Sequence, residues 1–175
     1  FSAHCNLIVG RALKKCYSIL RALRTKNHKI LISAYQIYIR SILEHGTTVY
    51  SPHLIKDIKL LENPQYYFTR RVFNRCFGKN YTNMPSKEDR NTALLLPSLA
   101  VRRNENGLKM LFKLTFGHSR LSDKKHHHYS ITSSITRGSH FEFTYPNPRN
   151  SVRANAFVIR SARLFTKTFK DRSFL

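Results

Sequence analysis

Carboxylates are the first residues to consider, because a polymerase or nuclease built on two metal ions needs several of them to converge. The chain has 9 Asp and Glu residues, and its one adjacent pair is Glu88-Asp89. That pair stands at a predicted helix start, where acidic side chains complement the helix dipole. The sequence also lacks a Gly-rich phosphate loop and a Gly-x-Ser-x-Gly nucleophile motif. It therefore predicts a chain that is not itself an enzyme.

A histidine cluster is the other group of side chains that could take part in chemistry, because imidazoles can bind a metal ion. His126-His127-His128 lies between His118 and His140. A structural zinc site needs four ligands and commonly includes thiolates, but no cysteine follows Cys76. A metal-dependent enzyme and a polar surface loop are both compatible with this pattern. We favour the loop and expect no metal and no cofactor.

Basic residues dominate the charge balance, with 31 Lys and Arg and a formal net charge of +22. Such a field attracts polyanions, and nucleic acid binds through phosphates that cations neutralise. A basic chain could also bind an anionic membrane surface or be a subunit of a larger assembly. The cations are interleaved with aromatic residues along the sequence, which favours a folded nucleic-acid-binding surface. The candidate phosphate contacts are Arg70, Arg71, Arg75, Arg102, Arg103, Lys113 and Arg137.

Each of these cations could instead be a solvated surface residue, or form a structural ion pair, rather than contact phosphate. Glu62 and Glu105 are the acids that could pair with the arginine sets. Because acids are few, we expect the set as a whole to contact phosphate.

Hydrophobic periodicity predicts helices over most of the first 117 residues. One helix is predicted over residues 6–24 with Asn6 as N-cap, and a second over 28–44 with Asn27 as N-cap and an end at His45-Gly46. A third helix should start at Ser51-Pro52, kink or break near Asn63 before Pro64, and end at Gly78. Ser86 should begin a short helix within a loop over 79–97, and Pro97-Ser98 a long helix that contains Gly107 and stops at Gly117.

The pattern changes after residue 117. Residues 118–139 are predicted to be a polar His/Ser/Lys loop, and residues 140–175 an extension. Phe141, Phe143 and Tyr145 alternate with polar residues and predict a short strand, followed by a helix over Ala154–Phe169. The predicted fold is mainly α: a bundle of about five helices over 1–117, then a looser basic extension with a short β element and a final helix.

Several short sequence phrases, each occurring once, follow one another in a defined order along the chain. They are Tyr38-Ile39-Arg40-Ser41-Ile42-Leu43-Glu44, Tyr50-Ser51-Pro52, Lys56-Asp57-Ile58, Leu61-Glu62, Gln65, Phe68-Thr69-Arg70-Arg71, Leu94, Leu96, Ser98-Leu99, Arg102-Arg103, Phe112-Lys113 and Thr136-Arg137-Gly138. In this order and spacing they resemble the segment that follows the polymerase domain in non-LTR retrotransposon reverse transcriptases of the jockey type. Ser41 stands where that family usually has proline, Pro64 where it has an aliphatic residue, and the usual C-terminal tryptophan phrase is missing.

The resemblance implies a thumb-like, non-catalytic C-terminal region of an RNA-directed DNA polymerase. Such a region would grip RNA or an RNA–DNA duplex and would work with an upstream polymerase domain of the same polypeptide. A stand-alone basic helical RNA- or DNA-binding module is the alternative, and so is a decayed copy of an element without function. The start at Phe1 rather than Met favours a fragment.

The cellular compartment is inferred from the cysteines and from hydropathy. Cys5, Cys16 and Cys76 are an odd number at unpatterned spacing, which favours a reducing intracellular setting, either nuclear or cytoplasmic. We identify no signal peptide and no apolar run of the roughly 20 residues that a membrane span requires.

Overall fold

The computed structural model describes residues 2–115, 130–132, 142–144 and 147–170. The mainly α prediction is confirmed, with a short β element. The helices and strands in chain order are α1 (Ser2–Ala22), α2 (His28–Ala34), a π-helical segment (Tyr35–Arg40), α3 (Ser41–Glu44), α4 (Ile55–Phe77), α5 (Lys87–Ala93), α6 (Leu99–Thr115), β1 (Ser130–Thr132), β2 (Glu142–Thr144), α7 (Ser151–Ala154) and α8 (Phe157–Lys170).

The chain divides into two compact units. Unit 1 comprises the chain up to Gly46 together with Pro52–Arg102. Unit 2 comprises Thr47–Ser51 together with the chain from Arg103 onward. The predicted boundary at residue 117 and most of the predicted loop over 118–139 lie outside the described residues.

The core of unit 1 forms where the apolar stripes of α1 and α4 pack together. In α1 the buried residues recur at three- and four-residue steps, as in Cys5, Ile8, Ala12 and Cys16. In α4 the fully buried Phe68 lies against the ring of Tyr35, with 5.2 Å between ring centroids. Burial of these faces stabilises helices that would be marginal in isolation.

A buried polar network ties α4 to its neighbours. The Tyr35 hydroxyl donates to Gln65 Oε1 at 2.8 Å, and Gln65 Nε2 donates to the Pro97 carbonyl at 3.2 Å. Gln65 is 1% exposed, so both groups of its amide have partners where water is excluded. Tyr35 also begins the π-helical segment, a rare conformation that widens one turn of the helix. The network fixes the position of α4 relative to the segment that precedes α6.

Pro64 does not break α4. The expected break near Asn63 is wrong, because the helix runs continuously from Ile55 to Phe77. Pro64 is buried, and its carbonyl accepts a long hydrogen bond from the Cys16 thiol at 3.9 Å. A proline inside a helix costs about 3 kcal/mol or more. The packing of α4 on α1 therefore outweighs that local cost.

Several predicted helix ends are confirmed. Asn27 accepts from the Lys29 N–H at 3.0 Å, and Ser86 Oγ accepts from the Asp89 N–H at 3.1 Å. Gly46 and Gly78 follow their helices with φ of 69° and 62°, in the left-handed region that suits glycine.

Two predicted helix starts are wrong. Helix α1 begins at Ser2 rather than after Asn6, because the Ser2 hydroxyl donates to Asp57 of α4 at 2.8 Å and Cys5 is fully buried. Helix α4 begins at Ile55, after Leu54, and not at Ser51-Pro52. Pro52 is buried within an irregular segment, so its side chain serves packing and not helix initiation.

Unit 2 has its own small core. The strands β1 and β2 pair antiparallel, with Ile131 opposite Phe143. Phe143 packs with Leu111 and Ala162, and Phe165 meets its ring edge-on at 4.9 Å. The predicted strand around Phe143 is confirmed, whereas β1 lies within the segment predicted to be loop. Three residues of alternating Ser-Ile-Thr are too short a signal to predict a strand without its partner.

The helical part of unit 2 also differs in detail from the prediction. The helix expected over Ala154–Phe169 corresponds to α8, which begins three residues later, at Phe157, and ends at Lys170. The short helix α7, which was not predicted, precedes it and shares only Ala154 with the expected range. Gly107 lies inside α6, where a Cβ would come within 3.2 Å of Ser161 Oγ. The glycine therefore allows a close approach of α6 and α8. The predicted helix stop at Gly117 lies outside the described residues.

None of the described helices is long and apolar enough to cross a membrane.

The cysteines should differ sharply in reactivity. Burial raises the pKa of Cys16 to about 12, so at pH 8 only about one thiol in ten thousand is ionised. Cys5 is fully buried, whereas Cys76 is partly exposed, although burial raises its pKa as well. We expect iodoacetamide at pH 8 to label Cys76 first in the native protein and all three cysteines in urea. Mass spectrometry of the labelled peptides checks this order, and fast native labelling of Cys16 would contradict the packing of α1 on α4.

Candidate nucleic-acid interface

Internal contacts engage three of the carboxylates of unit 1. Asp57 accepts from the Ser2 hydroxyl, and Glu62 accepts from the backbone N–H of Ala100 at 2.9 Å, at the start of α6. Both carboxylate side chains are 4% exposed. Glu44 is paired with Arg102, whose Nη2 donates to Glu44 Oε2 at 2.9 Å. These acids hold elements together and leave few charges to neutralise the basic surface.

The exposed acids of unit 1 are both on α5. Glu88 and Asp89 occupy its first turn, where they complement the helix dipole as predicted. The side chain of Asp89 also accepts from the Ser86 hydroxyl at 2.8 Å.

Arg70 and Arg71 are exposed on one face of α4. Tyr67 and Asn74 lie three or four residues away from them, so the four side chains share that face. Neither arginine has a carboxylate within ion-pair distance among the described residues of the chain. Their helix is anchored by the buried Phe68 and Val72 on the opposite face. The backbone beneath the two cations is therefore held by the core.

A surface pocket of about 340 Å³ opens beside these arginines. We call it the Tyr67–Tyr81 pocket, and its lining residues are Tyr67, Arg70, Arg71, Asn74, Tyr81 and Met84. It combines two aromatic rings, two guanidinium groups, an amide and a thioether. That set offers charge and hydrogen bonds to phosphate and flat apolar surface to a base.

The arginines of the pocket lie over its tyrosine rings. The Arg70 guanidinium carbon is 4.4 Å from the centroid of Tyr81, and that of Arg71 is 5.4 Å from the centroid of Tyr67. Nearby, Lys87 Nζ lies 4.5 Å from the ring of Tyr66. Such cation–π contacts orient the cations without neutralising them. The charge of each arginine thus remains available to an anion.

The basic surface extends from α4 to α1. Tyr17 of α1 is exposed, and its ring centroid lies 5.0 Å from that of Tyr67. The pKa of Tyr17 is raised, mainly by its interaction with Tyr67 and against the effect of Arg71. Lys14 and Arg21 are also exposed, and their spacing from Tyr17 puts them on the same face of α1.

Arg75 has a structural partner that the sequence did not reveal. Its two terminal nitrogens donate to the carbonyls of Leu23 and Leu20, at 2.5 and 2.8 Å, at the C-terminal end of α1. The Leu20 carbonyl is among the last four of α1, which lack partners within a helix, and Leu23 follows the helix end. A cation at this end also complements the helix dipole. We therefore leave Arg75 out of the candidate interface.

The other predicted contacts are distributed over several settings. Arg102 is engaged with Glu44, and Arg103 is 5% exposed. Lys113 is exposed on α6 in unit 2. Arg137 lies outside the described residues. Of the six predicted cations that the structure describes, Arg70 and Arg71 are the two that lie together at an exposed pocket.

Four side chains of the pocket were not predicted as site residues: Tyr67, Asn74, Tyr81 and Met84. Asn74 could have been found from its four-residue spacing to Arg70, but Tyr81 and Met84 lie in a loop that carries no periodic signal.

Arg90 is a buried cation that the sequence did not indicate: it is 5% exposed and donates to the Pro85 carbonyl at 2.9 Å. Burial, and then the charge of Arg70, lower its pKa. An additional buried cation close to Arg70 strengthens the positive field there.

Unit 2 has a second basic pocket, of about 250 Å³. Arg160, Arg163 and Lys167 of α8 line it together with Asn104 and Asn155. Arg160 donates to the Asn155 carbonyl at 3.1 Å, and burial, followed by the charge of Arg103, lowers its pKa. This pocket has the same sign of charge as the first but no aromatic ring in its lining.

Among the described residues, no group of three or more His, Cys, Asp or Glu side chains is placed to hold a metal ion. The cluster His126-His127-His128 lies outside the described residues.

Part of the chain is similar to a known protein. An uncharacterized protein of Caenorhabditis elegans is 36% identical over 80 residues, which cover 46% of this chain and 40% of that protein. The chain thus spans about two fifths of the length of this relative. No family model matches, and no solved structure matches.

Proposed function

We propose that this chain binds nucleic acid through the face of unit 1 that carries the Tyr67–Tyr81 pocket. The observation that supports this most is the pairing of two exposed arginines, Arg70 and Arg71, with two tyrosine rings on a rigidly held helix. Phosphate is the anion that planar, bidentate guanidinium groups recognise best. Bases supply the flat surfaces that tyrosine rings accept.

We further propose that the chain is the non-catalytic, thumb-like region of a non-LTR reverse transcriptase, located in the cell nucleus or cytoplasm. An upstream polymerase domain of the same polypeptide would then make the bonds while this region grips template and primer. The ordered sequence phrases support this origin. Many of their members, such as Glu44, Glu62, Gln65 and Phe68, are internal residues that specify how the helices pack.

A titration of oligonucleotide affinity against salt tests nucleic-acid binding. Because each neutralised phosphate releases counterions, log K should fall linearly with log[salt], with a slope near −0.7 per contact for a single strand and near −0.9 for a duplex. Fluorescence anisotropy of a labelled oligonucleotide supplies the affinities. An affinity that is undetectable at low salt, or that does not change with salt, would refute the proposal.

A further inference from the structure

We propose that the Tyr67–Tyr81 pocket takes an unpaired nucleotide, so that the chain prefers single-stranded nucleic acid over a duplex. This inference rests on the proposed function and specifies the form of nucleic acid that the site accepts. The chemistry of the lining and the exposure of Tyr81 support it.

Tyr81 is placed as a stacking platform. Its side chain is 80% exposed, and Arg70 lies over its ring at 4.4 Å. A ring held from one side by a guanidinium group leaves its other side for a second planar group. A nucleobase is the planar group that accompanies phosphates, and stacking with aromatic rings is how single-strand-binding proteins hold it.

The loop that carries Tyr81 is pinned to α4. Gly78 ends the helix in the left-handed conformation, and the Lys79 N–H returns to the Phe73 carbonyl at 3.4 Å. Asn74 Nδ2 donates to the Lys79 carbonyl at 3.1 Å, and the Asn83 N–H donates to the Asn80 carbonyl at 3.2 Å. These bonds order the loop before any ligand arrives, which lowers the entropic cost of binding.

A base-paired duplex cannot use this pocket fully. Its base faces are covered by neighbouring pairs, so a duplex presents mainly phosphates and groove edges to a protein. Arg70 and Arg71 could contact those phosphates, but the rings of Tyr67 and Tyr81 would have no base to stack on. A single strand can place its phosphates on the cations of the lining and its bases on the rings.

Three oligonucleotides with the same number of phosphates test the inference. One is an unstructured single strand, the second has abasic sites at its central positions, and the third is a blunt-ended, fully paired duplex. We expect the intact single strand to bind about tenfold more tightly than either of the others, because one stacked base is lost in each. Equal affinity for all three would overturn the inference while leaving nucleic-acid binding intact, and failure to bind any of them would overturn both.

The variant Tyr81→Ala localises the effect. It should lower affinity for the intact strand by about tenfold and leave affinity for the abasic strand unchanged. Tyr38→Ala is the matched control, since Tyr38 is also exposed (53%) and also lies under a cation, with Lys15 Nζ at 5.9 Å from its ring. Circular dichroism spectra of both variants should match that of the parent protein. An equal loss from Tyr38→Ala, or no loss from Tyr81→Ala, would contradict the assigned site.

Discussion

Replacing Arg70 and Arg71 together by glutamate should weaken binding of a single-stranded oligonucleotide by at least about a hundredfold. Hydrogen bonds to charged groups contribute about 1.5–3 kcal/mol each, and about 3 kcal/mol already corresponds to more than a hundredfold in affinity. The reversed charges would add repulsion. The slope of log K against log[salt] should become shallower by about 1.4 as two phosphate contacts are lost. Anisotropy titrations at several salt concentrations measure both quantities.

The matched control is the pair Lys56→Glu and Lys59→Glu. These two lysines are exposed on the same helix, near its opposite end, so the double variant has the same net charge as the arginine variant. If affinity depends on the pocket, the lysine variant should retain nearly all of it, apart from a modest long-range effect that salt screens. Equal losses in the two variants would mean that total charge, and not this site, governs binding.

Phe68→Ala should lower the free energy of unfolding by about 3–5 kcal/mol, the range observed when a buried phenylalanine is truncated. Phe68 is fully buried and lies against Tyr35. A domain is stable by only about 5–15 kcal/mol, so this substitution should remove a large part of the stability of unit 1. Chemical denaturation followed by circular dichroism measures the change.

Phe77→Ala provides the comparison for this second prediction. Phe77 ends the same helix, is 46% exposed, and touches Phe73 with 4.9 Å between ring centroids. Its truncation should cost about 1 kcal/mol, because nearly half of its surface is already exposed to water in the folded protein. Similar costs for the two variants would show that α4 does not form the centre of the core of unit 1.

Helices and their caps could be predicted from local signals. The apolar periodicity of α1 and α4 reflects the faces that pack together, and Asn27, Gly78 and Ser86 act through bonds to residues two to five positions away. The predictions of a helix break at Pro64 and of a helix start at Ser51-Pro52 were wrong because these features are not decided by local signals. Whether a proline ends a helix depends on the packing of residues far away in sequence, as the contact of Cys16 with Pro64 illustrates.

The same distinction applies to the candidate site. Arg70 and Arg71 were identified because aromatics precede them in sequence, and the structure puts both at the pocket. The role of Arg75 could not be read locally, because its carbonyl partners Leu20 and Leu23 are more than 50 positions away. Tyr81 was missed because its position beside Arg70 depends on the loop that Gly78 begins.

The phrases that carry the family resemblance and the residues that form the pocket are largely different sets. Leu61, Leu94 and Leu99 belong to the phrases and are buried, whereas Asn74 and Tyr81 belong to the pocket and to no phrase. The phrases thus bear mainly on the fold, and the pocket bears on binding. We expect the fold to persist in variants that no longer bind.

The most direct test of the central claim is an NMR titration of the 15N-labelled protein with a short single-stranded oligonucleotide. We expect the largest amide shift changes at Tyr67, Arg70, Arg71, Asn74 and Tyr81, saturating together as one site fills. Changes that cluster instead around Arg160 and Arg163 of unit 2, or that spread evenly over all exposed lysines and arginines, would contradict it.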